Sequence, residues 1–282
     1  MVTPVDVGQA AQTLEGPEAI VGMAPALKSR QIPSGLFVTP VLVLGICYLT
    51  YLFVTHSHLQ SLERDSLRSA QLLRYTGEHL RVSLASTLIV LSTAIPMGVL
   101  VTRRSGRTFS LVAGTAANIG QAATAFGLMV LFLVGFNMSG LIAAILGLAV
   151  YSFLPVLSGT VTGIQQVDAN VKKSASAMGM SSWQVLRRVE LPLSVPVLLA
   201  GIRTALVLNV ATTTVAALVG AGGLGLLIIT GFTAGRDSLI LMGGVATAGI
   251  AILADWVGAV AERVLRPKGL RSPQSQIPKG VR

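Results

Sequence analysis

Few side chains in this sequence are placed to do chemistry. The three histidines, His56, His58 and His79, fall in one polar stretch. No acid or cysteine beside them completes a metal-ligand set, so they read as surface groups. Acid pairs and nucleophile–base sets are missing from the apolar runs, which argues against an enzyme; no catalytic or metal-binding residue is assigned. Cys47 is the single cysteine and lies inside an apolar run. It cannot form an internal disulfide and reads as a filler against lipid or another helix. The run Gly220–Gly225, GAGGLG, lacks the Lys-Ser/Thr ending of a nucleotide-binding loop. Gly220, Gly222, Gly223 and Gly225 read instead as a tight outer-face loop in which backbones pack closely.

A second set of polar residues stands where polarity is costly. Asn118, Gln121 and Thr124 lie in one apolar run, and Asn209, Thr212 and Thr213 in another. Two readings stand side by side: these groups line a path for a polar solute, or they tie helices together by hydrogen bonds. Arg203 lies about ten residues into its run, roughly 15 Å deep by helical rise. Asp255 is the one acid inside the last run. Either the two pair within the bundle, or each reaches for the nearer interface.

The elements that hold these groups must be membrane helices. Of 282 residues, 52% are hydrophobic and only 11% are charged; soluble domains carry about a quarter charged residues. The expected fold is an all-α membrane protein with six transmembrane helices, at 36–54, 83–101, 109–134, 140–164, 193–219 and 238–260. Pro96 is expected to kink the second, and the third is long enough to tilt or break. Residues 1–33 lack a signal-peptide pattern and read as a flexible cytoplasmic tail. Residues 34–82 read as a membrane helix plus an outer segment with an interfacial helix, 83–263 as the core domain, and 264–282 as a basic cytoplasmic tail. The formal net charge of +10 sits in loops and tail. Without interleaved aromatics it suits an anionic inner leaflet rather than nucleic acid. Arg103, Arg104 and Arg107, the loop after the fourth span, and the C-terminal tail are all basic, which puts both termini in the cytoplasm. Arg64, Arg68, Arg74 and Arg81 run against this count, and later spans outvote them.

The longest polar segment within the apolar body is the loop 166–192, whose stretch from Asp168 reads DANVKKSASAMGMSSWQVLRRVELP. Ala175, Ala177, Met178, Trp183, Val185, Leu186 and Val189 recur at three- and four-residue spacing, which predicts one or two short amphipathic helices. Gly179 interrupts them, as a helix C-cap or as a point of close backbone approach. Ser181 or Ser182 caps a second helix from Trp183, and Pro192 stands where the next span begins. A rigid surface helix of this kind suits a groove on a partner.

This loop resembles that of bacterial ABC-importer permeases: Glu-Ala-Ala, three residues, Gly, nine residues, Ile, one residue, Leu-Pro. Here Gly179 is followed after nine residues by Val189, Glu190, Leu191 and Pro192, while Lys173, Ser174 and Ala175 replace Glu-Ala-Ala. From Thr76 to Arg263 the chain is similar to permeases that import osmoprotectants such as glycine betaine, choline and carnitine. The matching stretches are TGEHL at Thr76, YSFLP at Tyr151, TGI at Thr162, AMGM at Ala177, VELPLSVPVLLAGIRTAL at Val189 and GAGGLG at Gly220. Departures stand at Gln121-Ala122-Ala123-Thr124, where relatives often have Gln-Thr-x-Pro, and at Ser158-Gly159, where they often have Arg-Asn. The resemblance implies a five-helix type I importer core plus one added N-terminal helix, in a bacterial inner membrane. It implies ATPase contact through Lys173, Ser174, Ala175, Ala177, Met178, Gly179, Met180, Trp183, Val189, Leu191 and Pro192. It further implies a second permease (homo- or heterodimer), two cytoplasmic ATPase subunits that carry ATP and Mg, and a periplasmic or lipid-anchored binding protein. This chain itself is expected to bind no cofactor. The alternatives are an importer permease for another small solute such as an amino acid, and an ATP-independent secondary transporter.

Overall fold

The computed structural model describes residues 38–56, 61–103, 114–115 and 118–265. The N-terminal tail, His58, Arg104, Arg107 and most of the basic C-terminal tail lie outside the described residues. The described elements are all helical. In order they are α1 (Val38–His56), α2 (Ser61–Ser66), α3 (Ser69–Arg103), α4 (Ala125–Val130), α5 (Gly140–Tyr151), α6 (Phe153–Gln165), α7 (Ala169–Ala177), α8 (Ser182–Val185), α9 (Leu191–Ala216), α10 (Gly225–Ala234) and α11 (Asp237–Leu265). A π turn at Leu131–Gly135 extends α4, a second at Leu186–Glu190 joins α8 to α9, and a 3-10 turn at Ala217–Val219 ends α9.

Among the described residues, five helical runs are long and apolar enough to cross a membrane: Val38–His56, Ser69–Arg103, Gly140–Gln165, Ser182–Val219 and Asp237–Leu265. They match the first, second, fourth, fifth and sixth expected spans. The expected third span, 109–134, is only partly described. Its helix is interrupted at Ala123–Thr124, and the apolar helix Ala125–Gly135 that resumes is shorter than a span.

Three local features differ from the sequence reading. The segment expected before residue 83 holds the short helix α2, but from Ser69 onward it is instead the first part of α3, which runs unbroken for 35 residues through Pro96. The expected domain boundary at 82/83 therefore falls inside a helix. Its polar residues pass as surface because they share a face: Arg74 and Glu78 pair at i,i+4 on the exposed side, while His79 and Val82 are buried on the other. The fourth run breaks at Ser152. Pro155 offers no N–H to the Tyr151 carbonyl and disfavours helix just before itself, and the Ser152 hydroxyl donates to Leu148 O at 2.9 Å. Finally, α10 occupies residues that the apolar pattern had left unassigned between two spans. At ten residues it is too short to cross alone, and it ends at Gly235, whose φ of +65° is left-handed.

Helix α9 lies at the centre, packed against α3, α6 and α11. Small residues let α6 approach it closely. A Cβ on Gly201 would stand 2.5 Å from Pro155 O, and one on Gly159 would stand 3.2 Å from Gly201 Cα. Val90, Ala94, Val156 and Ala205 fill the α3–α6–α9 core, and Val82, Met129, Leu148 and Ala216 fill a second around α4 and α5. Helix α1 packs on α11, where a Cβ on Gly249 would stand 2.8 Å from Cys47 Sγ. Of its two expected surroundings, the thiol takes the helix. The far side of α1 exposes Val41, Leu49 and Phe53, apolar groups suited to lipid.

Candidate coupling and translocation site

The polar loop 166–192 folds as a pair of short, capped helices. Asp168 caps α7 by accepting from Asn170 N at 2.8 Å. At its other end Gly179 N–H donates to Ser176 O (3.0 Å) and Met180 N–H to Ala175 O (3.3 Å), the two bonds of a Schellman cap. Gly179 has φ +83°, and a Cβ there would meet nothing within 4 Å. Glycine is therefore required for backbone conformation, not for close approach. Ser181, rather than Ser182, caps α8, in a box where Gln184 Oε1 accepts from Ser181 N. The helix does not begin afresh at Pro192. The π turn carries it continuously from Ser182 to Val219, and Pro192 sits in the first turn of α9 just past that turn. Ala175, Val185 and Leu186 are buried, whereas Met178 (72%) and Trp183 (65%) are exposed. Lys173, Ser174, Ala177 and Gly179 are exposed with them; Met180, Val189, Leu191 and Pro192 are half-buried.

The loop is fastened to the bundle by a residue the sequence reading passed over. Glu190 is buried (4% exposed). Its carboxylate forms an ion pair with Arg103, at the end of α3, and lies 4.0 Å from Lys172 Nζ on α7. Lys172 also donates to Ile164 O at 3.0 Å. One carboxylate thus joins α3, α7 and the root of α9. Its signal in the sequence was an acid set among apolar residues in VELP, where burial demands a cationic partner.

The six polar residues considered for a path do not share one setting. Asn118 and Thr124 are exposed, Gln121 and Thr212 are half-buried, and Asn209 and Thr213 are fully buried. Thr124 caps α4 by accepting from Gly127 N. Asn209 Nδ2 donates to Thr87 Oγ1 at 2.9 Å, and Thr213 Oγ1 donates to Asn209 O at 2.6 Å. Nearby His79 is also fully buried, not at the surface, with Nε2 2.9 Å from Val210 O. His79, Thr87 and Asn209 form a hydrogen-bonded seam between α3 and α9, where the apolar surroundings strengthen each bond.

Two stretches that looked separate in sequence form one unit. Glu78 and His79 of TGEHL pack under the loop GAGGLG. Gly223 N–H donates to Glu78 Oε2 at 3.1 Å, and a Cβ on Gly223 would lie 3.3 Å from His79 Cα. Gly220, Gly222 and Gly223 have φ of +82°, +76° and +88°, so this loop needs glycine both for conformation and for contact. Gly225 opens α10.

Arg203 and Asp255 form a bidentate pair between α9 and α11: Nε donates to Oδ1 and Nη2 to Oδ2, each at 2.6 Å. Arg203 Nη1 lies 3.8 Å from Glu262. Ala200, Thr204, Val207 and Leu208 border an open cavity of ≈ 400 Å³ beside the pair.

Comparison with known proteins accords with this geometry. Residues 94–267 match the family of binding-protein-dependent transport system inner membrane components. The glycine betaine/carnitine/choline transport system permease protein OpuCB of Bacillus subtilis is 36% identical, over 71% of this chain and 91% of that protein. The carnitine transport permease protein OpuCB of Listeria monocytogenes is 35% identical over 71% and 90%. The osmoprotectant import permease protein OsmW of Salmonella typhimurium is 34% identical over 70% and 92%. In structure, the inward-facing MetNI methionine ABC transporter is similar with a TM-score of 0.60 at 24% identity, over 70% of this chain and 96% of that one. That likeness gives the fold: a type I importer permease core. The chain belongs to the family of binding-protein-dependent transport system inner membrane components.

Proposed function

We propose that this chain is the membrane-spanning permease subunit of an ATP-driven importer for quaternary-amine osmoprotectants. The observation that carries the mechanism is the loop 168–192: a capped helix pair rooted without a break in the central helix α9. The substrate class rests on relatives named for glycine betaine, carnitine and choline at 36% identity over most of their length. Both termini and this loop face the cytoplasm in this reading, and a second permease subunit completes the pore. Two ATPase subunits, which hold ATP and Mg, press on α7 and α8 when they close. A binding protein delivers solute from the other side.

The chain's own part is mechanical. Force on α7–α8 passes along one continuous helix to Val219, and sideways through Glu190 to α3. The α3–α9 seam and the close α6–α9 contact make these helices move together. A rigid-body shift between two states then follows the different affinities of those states for nucleotide. We place the solute path along the accessible polar groups Asn118, Gln121, Thr124 and Thr212, with Asn209 and Thr213 holding the helix pair behind it. With only 5% aromatic residues in the chain, an aromatic cage for a quaternary ammonium is left to the binding protein.

Proteoliposomes carrying the chain, its ATPase and its binding protein test this reading. Labelled glycine betaine, choline or carnitine should accumulate only with ATP and binding protein. Uptake that continues without ATP would favour a secondary transporter, and ATP-driven uptake of an amino acid alone would move the substrate class.

A further inference from the structure

The exposed side of the helix pair carries a definite charge. Lys173, Arg187 and Arg188 are exposed, and among the described residues none of them forms an ion pair. Of the loop's two acids, Glu190 is buried against Arg103 and Lys172, and Asp168 is held at the N-cap of α7. The outward face is therefore cationic, and Met178 and Trp183 stand out beside the cations as apolar knobs, 72% and 65% exposed.

A basic, aromatic-bearing face near a membrane could bind either anionic lipid or protein. Position decides between them. The helix from Ser182 runs without a break into the apolar part of α9. By helical rise, Trp183 projects roughly 15 Å beyond Leu193, where the apolar run starts. The headgroup layer is only about 5–8 Å thick on each side. Trp183 and its neighbours thus stand clear of the lipid interface, on an element stiffened by a Schellman cap, a capping box and the buried Glu190.

From this we infer that the ATPase subunit docking here presents an acidic cleft with an apolar floor: carboxylates around Lys173, Arg187 and Arg188, and a slot taking Met178 and Trp183. The inference rests on the permease reading above, and adds to it the chemistry of the partner's surface. Close charge pairs of this kind set partner choice and association rate, while a buried aromatic anchor sets the lifetime of the complex.

The test uses the full-length chain in nanodiscs and the ATPase subunit that co-purifies with it. Affinity should weaken at least tenfold between low and high salt. The triple reversal K173E/R187E/R188E should weaken it at least tenfold at low salt, and the neutral K173Q/R187Q/R188Q by less. W183A should weaken binding while leaving the salt slope unchanged. Size-exclusion profiles and unfolding midpoints verify that each exposed-site variant remains folded. Salt-independent binding, with the reversal within twofold of wild type, would overturn the acidic cleft and leave the permease reading intact. Failure of any ATPase to bind would remove both. In a Trp256→Phe background, which leaves Trp183 as the lone tryptophan, a fluorescence blue shift caused by anionic lipid without ATPase would place this face on the membrane and overturn the inference.

Discussion

Replacing Glu190 with Gln removes the charge that joins the helix pair to the bundle. The carboxylate side chain is 5% exposed and its partner Arg103 is 34% exposed. Breaking a fully buried ion pair costs about 3–5 kcal/mol, and a fully exposed pair is worth about 0–1 kcal/mol. With one member buried and the other a third open to solvent, we take ~2 kcal/mol, between those limits. Such a loss raises the population of locally undocked loop roughly thirtyfold. Amide hydrogen exchange of the protein in nanodiscs should register this as faster exchange across residues 169–190, with α11 unchanged. Arg103→Gln should act in the same direction. The double variant should lose less than the sum of the two, because neither member of the Arg103–Glu190 pair is then left charged without the other. Exchange within twofold of wild type in Glu190→Gln, or strict additivity in the double variant, would refute the claim that this pair fastens the loop.

Other consequences follow from the same geometry. Gly223→Ala places a Cβ 3.3 Å from His79 Cα at a φ of +88°, whereas Gly220→Ala at φ +82° meets open space. Only the second should be confined to the ~1–2 kcal/mol of left-handed strain, so Gly223→Ala should show the lower melting temperature. Gly201→Ala drives a Cβ to 2.5 Å from Pro155 O and should destabilise by about 1–3 kcal/mol by overpacking, read as a drop in thermal midpoint in detergent. Arg203→Asp and Asp255→Arg should each impair folding or transport, and the combined swap should restore part of it. A swap no better than the single variants would mean that the bidentate contact contributes nothing to assembly.

Much of this molecule was legible in its sequence. Apolar length gave the long spans, because a continuous apolar run of about 20 residues crosses lipid with its backbone groups satisfied within itself only as a helix. The pairing of Gly179 with Ser181 gave the shape of the loop, since a left-handed residue and a helix cap are local requirements. What stayed hidden depended on facing direction. His79 lies in a polar stretch, yet helical phase turns it inward to Val210, and Glu190 is the counterpart of an arginine far away in the chain. Residues 69–82 read as surface because charge on one face masked burial on the other. The contact of Glu78 and His79 with the glycine loop joins segments about 145 residues apart, a relation that no local pattern encodes. The break at Ser152 was foreshadowed by Pro155 but obscured by the unbroken hydrophobicity around it.

The most direct measurement concerns the tip of the helix pair. A photo-crosslinker introduced at Met178, in membranes containing the assembled transporter, should trap a nucleotide-hydrolysing subunit, with a yield that changes between ATP-bound and nucleotide-free states. Adducts with lipid alone, or labelling of Met178 only by reagents confined to the outer face, would contradict the account.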